Sequence, residues 1–220
     1  MLEPKPLASL GKAVAVLLGL NALWDIAALG SGALQMSLIE RMQRGDFTQA
    51  EAEANDLREQ LIGLSGMALY LLTAIVFLVW FYRAYANVEA LGHTRERTSG
   101  WAIGVWFVPF ASLVWPYQMT QEIFRKSMPE DDEDLSFGVV PGVVLVWWGF
   151  WIVDNILGQV VFRIGTDTLA ELETATFVAM LHNAIGIGSA VCAALVVRAL
   201  TAQQERGLSA LRGETEPAVF

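Results

Sequence analysis

The chain has 220 residues, of which 55% are hydrophobic and only 17% charged, with a formal net charge of -9 and a mean hydropathy of +0.46. Soluble domains carry about a quarter charged residues, so this is the composition of an integral membrane protein. The acid excess excludes nucleic acid as a partner, because phosphate binding needs clustered Lys and Arg. One cysteine, Cys192, and two histidines, His93 and His182, provide neither an intramolecular disulfide nor a thiolate or zinc cluster. No metal and no cofactor is implied.

A helix needs about 20 mostly apolar residues to cross roughly 30 Å of hydrocarbon. Four segments have that length: residues 14–38, 61–82, 139–162 and 174–197. Lys5 and Lys12 ahead of AVAVLLGL imitate a secretory signal, but the apolar character continues past Asp25 to Ile39, so this run is the first span. The following RMQRGDFTQAEAEANDLREQ is polar and acidic, with Asp46 or Thr48 placed to cap a helix that carries the second span out into water. Trp80, Phe81 and Tyr82 before Arg83 read as an aromatic belt and a charge that reaches the headgroups.

HTRERTSG breaks that helix. From Trp101 to Trp115 an unbroken helix would reach only about 22 Å at 1.5 Å per residue, and Pro109 removes one of its hydrogen bonds. Pro116 disfavours helix at Trp115, after which YQMTQEIFRKS places Met119, Ile123 and Phe124 on one side, the pattern of a short helix on a membrane surface. Residues 101–127 are therefore expected to be re-entrant or interfacial. MPEDDEDLSFG reads as a solvated loop and residues 207–220 as a flexible tail. The expected fold class is an all-α polytopic membrane helix bundle in one domain spanning residues 1–220, with four transmembrane helices in two hairpins joined by the Pro-broken segment.

Lys and Arg concentrate in cytoplasmic loops, which decides the threading. If residues 101–115 do not cross, the two termini and the central region share 10 of the 14 Lys and Arg, against 4 in the opposite loops. A fifth crossing would divide them 6 against 8. The first threading is the expected one, with both termini cytoplasmic.

FLVWFYRAYANVEALG at Phe77, WAIGVWFVPFASLVWPYQMTQEIFRKS at Trp101 and VVRALTAQQER at Val196 resemble the bacterial membrane family catalogued as domain of unknown function 4328. The resemblance runs from about the second span to the C-terminus. Its most specific part is the pattern formed by Trp101, Trp106, Phe107, Pro109, Phe110, Pro116, Tyr117 and Glu122, with Arg83 upstream. It implies a multi-pass protein of a bacterial cytoplasmic membrane and carries over no catalytic residue.

Asp25 and Asp154 are the residues most out of place, since a charge in a bilayer costs about 2.5–3.5 kcal/mol on insertion scales and usually faces the bundle interior. Each is followed by Leu-Gly, in WDIAALG and VDNILG. Helical periodicity puts Asn21, Asp25, Ala28 and Gly32 on one face, Trp147, Trp151, Asp154 and Gly158 on another, and His182, Gly186 and Ala190 on a third. Asp154 and His182 fall at similar depth on antiparallel neighbours, so contact between Asp154 and His182 or Asn183 is expected, with Asp25 nearby. Such a cluster either binds a cation or relays protons, or holds helices in register through Asn21, Asn155 and Asn183. Trp147, Trp148 and Trp151 either line a pocket for a flat ligand or fill core volume. No nucleophile elbow, H-E-x-x-H or phosphate loop occurs. The first reading of function is a non-enzymatic scaffold or accessory subunit that meets membrane lipids, a protein partner or a second copy. The alternative is a small proton- or cation-coupled transporter or channel component built on the intramembrane carboxylates.

Overall fold

A computed structural model describes residues 4–127 and 140–213; the PEDDED run, the expected start of the third span at Val139 and the tail from 214 lie outside the described residues. The architecture is all-α. Its helices are α1 (Ala8–Gln43), α2 (Gln49–Ala90), the single turn α3 (Trp101–Gly104), α4 (Trp115–Arg125), α5 (Val143–Arg163) and α6 (Leu169–Leu211), with 3-10 turns at Val105–Phe107 and Ala111–Leu113. Among the described residues α1, α2, α5 and α6 are the helices long and apolar enough to cross a membrane.

Two of the long helices begin with the same device. Thr48 and Glu51 form a reciprocal cap at the start of α2, the Glu51 N–H donating to Thr48 Oγ1 at 3.2 Å and the Thr48 N–H to Glu51 Oε2 at 2.8 Å. Thr168 and Glu171 repeat it before α6, at 3.2 and 3.1 Å. Each pair satisfies donors that a helix start leaves open. Arg41 also bonds Glu51 at 2.7 Å, and this guanidinium, followed by the Thr48 donors, lowers the Glu51 carboxyl to about 2.

The chain packs as two compact units. One contains the stretch up to Leu17, Thr73–Trp147 and the chain from Cys192; the other contains Leu18–Leu72 and Trp148–Val191.

In the first unit the N-terminal segment is tied down. Glu205 Oε1 accepts the Leu7 and Ala8 N–H groups at 2.9 Å each, capping α1 from a distant part of the chain. Asn87 bonds both the N–H and the carbonyl of Lys5 at 2.8 Å, and Gln204 donates to the Ala84 carbonyl at 2.7 Å. Trp80 and Phe81 are fully buried, which corrects their assignment to a lipid-facing belt. The Trp80 indole donates to Thr201 at 3.0 Å, and the rings of Phe77 and Phe81 meet Trp106 edge-on at 5.4 and 5.8 Å. Aromatic edges and a satisfied indole make a protein core here. Tyr82 is half-buried beneath the Lys5 ammonium, 4.7 Å from the ring centroid, and Arg83 is half-buried.

The central segment lies wholly in this unit. Gly104 leads into a 3-10 turn, Pro109 follows, and Phe110 adopts φ 64°, a left-handed conformation that a bulky residue rarely takes. Trp115 is already helical, because Pro116 sits in the first turn of α4, where no N–H is required. Met119, Ile123 and Phe124 are buried inside the unit, so α4 does not present its apolar side to a membrane surface as the periodicity suggested. Side chains left outward belong to the preceding stretch, chiefly Phe107 at 72% and Phe110 at 83% exposed. Trp101 packs edge-on against Trp115 at 5.2 Å, and Arg97 covers Trp115 at 4.7 Å from its centroid.

Glu122, only 4% exposed, holds this segment to α2. Its Oε2 accepts the Tyr85 hydroxyl at 3.0 Å, while Oε1 accepts the Glu96 N–H at 2.8 Å and Lys126 Nζ at 3.1 Å. Tyr85 in turn accepts the Arg97 N–H at 2.9 Å. Burial, and then the adjacent Glu122 charge acting against that N–H, pushes the Tyr85 phenol up to about 12. Removing one partner of a buried charged network leaves the others desolvated and unpaired. Glu122→Ala is therefore expected to lower stability by about 3 kcal/mol and Tyr85→Phe by about 1 kcal/mol, both measured by tryptophan fluorescence on thermal unfolding in detergent. Equal midpoints for Glu122→Ala and the parent would remove Glu122 from this role.

Candidate functional site

The site lies in the second unit, where α1 and α2 run antiparallel. The Trp24 indole donates to Ser65 Oγ at 3.1 Å. Seven residues further along α1, Ser31 donates to Glu59 Oε1 at 2.6 Å and accepts from Arg58 Nε at 2.8 Å. Gln35 donates to Thr176 on α6 at 2.8 Å, and Gln43 to Glu173 at 2.9 Å. The apolar run 14–38 therefore does not all face lipid: from Ser31 onward α1 lies among polar partners. Asp25, six residues before Ser31, stands about 9 Å along the helix from that polar group.

Asp25 on α1 and Asp154 on α5 converge on Gly186 of α6. A Cβ at position 186 would stand 2.9 Å from Asp25 Oδ2 and 3.5 Å from Asp154 Oδ1. His182, one turn earlier on α6, brings Nε2 to 3.3 Å from Asp154 Oδ1. That contact is not aligned as a hydrogen bond, since Asp154 Oδ1 is buried without a hydrogen-bond partner among the described residues. It is an ion pair only when the imidazole is protonated. Gly158 permits the approach from α5, because a Cβ there would meet His182 Nε2 at 3.3 Å. Gly32 faces Met180 in the same way, with 2.8 Å to its Cγ. Small residues thus let three backbones close around the two carboxylates.

Of the other residues singled out from sequence, Asn21 lies one turn before Asp25 and Asn183 next to His182, both half-buried. Trp151 stacks on Trp148 at 4.6 Å with the planes 12° apart. In the first unit, Trp147 is buried and lies 6.5 Å from Phe77; Trp147 and Trp148 fill core volume. Tyr117 is half-buried and accepts from Gln121 at 2.9 Å, while Pro109 is exposed and Pro116 buried.

A cleft of about 590 Å³ opens over Asp154 and His182, lined also by Tyr70, Asn155, Gly158, Gln159, Phe162 and Arg163. Its volume is in the range of small-molecule sites. Sequence reasoning missed Tyr70, Gln159, Phe162 and Arg163. The available signal was the spacing of four between Asn155, Gln159 and Arg163, which puts a polar stripe beside Asp154 on α5. Among the described residues no three His, Cys, Asp or Glu side chains group as metal ligands.

Comparison with known families agrees with the signature of the first unit. The family model described as domain of unknown function (DUF4328) matches residues 43–202. The chain belongs to this family. The matched region of the DUF4328 chain includes Asp154, His182 and the whole cleft lining, whereas Asn21 and Asp25 precede it. Neither curated proteins nor solved structures give a significant match.

If Gly186 is the point of closest approach, a methyl there must displace a carboxylate. Gly186→Ala is expected to cost about 1–3 kcal/mol through overpacking, whereas Gly30→Ala, into open space on α1, costs nothing measurable. Thermal midpoints of the two purified variants in one detergent make the comparison, and equal midpoints would contradict the packing.

Proposed function

We propose that the protein is a non-enzymatic membrane module that holds a proton or a small cation between Asp25, Asp154 and His182, as a component of a transporter or channel. The observation carrying this reading is the convergence of two carboxylates on one point beside an imidazole, with Asp154 and His182 also lining a cleft. Two negative charges so close in a poorly solvating site repel unless a positive charge joins them. A proton, the imidazolium of His182 or a bound cation supplies it, and exchange between these is the elementary step of coupled transport. A scaffold reading is favoured by the first unit, which is rigidly hydrogen-bonded and turns Phe107 and Phe110 outward. The two readings separate at the carboxylates.

In proteoliposomes carrying the purified chain, a pH gradient is expected to drive proton or monovalent cation flux, and Asp25→Asn with Asp154→Asn to reduce it at least tenfold while leaving the thermal midpoint near the parent's. Flux unchanged in a folded double variant, or none in the parent, would leave only the scaffold.

The proposed setting is the cytoplasmic membrane of a bacterium. Both termini and the central segment face the cytoplasm, on the distribution of 10 Lys and Arg against 4. With Cys192 replaced by Ala, single cysteines at the exposed positions Thr98 and Arg125 should resist an impermeant maleimide in intact cells. Cysteines at Gln49 and Thr166, also exposed, should react. Labelling of Thr98 and Arg125 from outside would reverse the threading.

A further inference from the structure

We infer that the cleft of the second unit takes a zwitterion, with a primary ammonium towards Asp154 and a phosphate or carboxylate towards Arg163. This rests on the proposed reading of Asp25, Asp154 and His182 as a site for positive charge and names what carries that charge.

The lining is electrically divided. Asp154 and His182 form one part, and Arg163 stands nine residues further along α5, about 13 Å along its axis, in the same cleft. Arg163 is exposed and makes no ion pair among the described residues, so the acid and the base of this cleft do not neutralise each other. The Asp154 side chain is 22% exposed and lines the cleft, so its carboxylate is open to a three-donor ammonium, and no hydrogen bond from the described residues competes at Oδ1. Guanidinium is matched in shape to carboxylate and phosphate oxygens. A bare divalent ion suits the cleft poorly, because Ca²⁺ and Mg²⁺ take about six oxygen ligands, and the space of about 590 Å³ suits an organic molecule. Between the charged groups, Asn155 and Gln159 offer amides, while Tyr70 at 59% and Phe162 at 91% exposed form an aromatic wall for an apolar body. That chemistry belongs equally to an aminophospholipid headgroup and to a soluble amino-phosphate or amino acid.

The test uses the full chain in nanodiscs of phosphatidylcholine doped with either phosphatidylethanolamine or phosphatidylglycerol, with retained lipid read by native mass spectrometry. Binding of O-phosphoethanolamine from solution is read in parallel by calorimetry. Phosphatidylcholine lacks ammonium N–H donors and phosphatidylglycerol lacks the cation, so both remove the ammonium half of the recognition while keeping the phosphate, whose half Arg163→Gln tests. The expected result is about tenfold preference for the ethanolamine compound over glycerol or choline, the scale of one charged hydrogen bond. Arg163→Gln and Asp154→Asn should each abolish it. Arg163 is exposed, so its variant remains informative if Asp154→Asn does not fold. Retention of the lipid without uptake of the soluble compound assigns the site to a headgroup, and the reverse assigns it to a solute. Equal retention of ethanolamine and glycerol lipids with no uptake of O-phosphoethanolamine, or binding unaltered in Arg163→Gln, overturns the inference. If flux still depends on Asp25 and Asp154 in that case, only the zwitterion is lost; flux indifferent to both carboxylates removes the site itself.

Discussion

The missing side chain at Gly186 is the constraint on which the second unit depends. Helix association in a bilayer gains little from burying apolar area, because lipid is as apolar as leucine, so close packing and polar contacts must provide it. Gly186 lets α1 and α5 bring Asp25 and Asp154 against α6, and Gly158 makes room for His182 on the opposing face. Two helices, α1 and α5, thereby bring two carboxyl groups to one point on α6. The arrangement costs electrostatic energy unless a positive group occupies the same space, which links the packing of the helices to whatever fills the site.

The first unit resolves the burial of polar groups in the opposite manner. Glu122 is nearly inaccessible, yet both oxygens are engaged by donors from three places in the chain: Tyr85, the Glu96 backbone and Lys126. Glu205, Asn87 and Gln204 likewise meet backbone groups at the start of α1 and within α2. A buried network in which every member is satisfied rigidifies a fold. Here it ties Glu96, Arg97 and α4 to Tyr85 of α2, while Phe110, in the stretch between, takes φ 64°.

The four long helices were legible because length and apolarity are local properties of a sequence. So was the proximity of Asp154 to His182, since helical phase and the length of the α5–α6 connection set their depth together. Other features depend on tertiary partners that no local pattern names. Trp80 and Phe81 look like a belt when only their neighbours in sequence are considered, and become core once Trp106 and Thr201 reach them. Met119, Ile123 and Phe124 form an amphipathic face whichever surface receives it; the face is sequestered by protein because Glu122 on the same helix is drawn inward by Tyr85. The polar partners of the first span were hidden for a similar reason, as Ser31 is too weakly polar to interrupt a hydropathy profile, yet Arg58 and Glu59 stand against it.

Comparison of the two acidic centres bears on which of them functions. Glu122 has an internal donor for each oxygen, so replacing any partner only damages the fold and nothing remains for a ligand to add. Asp154 Oδ1 is buried as well, but its nearest nitrogen, His182 Nε2 at 3.3 Å, is misaligned for a hydrogen bond, and Asp25 adds a second charge where the first is already poorly compensated. Buried polar atoms in folded proteins are satisfied by protein, by water or by a ligand. A structural network would have closed on itself as Glu122 does, at no greater cost in sequence than one further donor on α6. Asp154 is instead left one donor short on the wall of a cleft, a site with room for a donor that the described side chains do not supply.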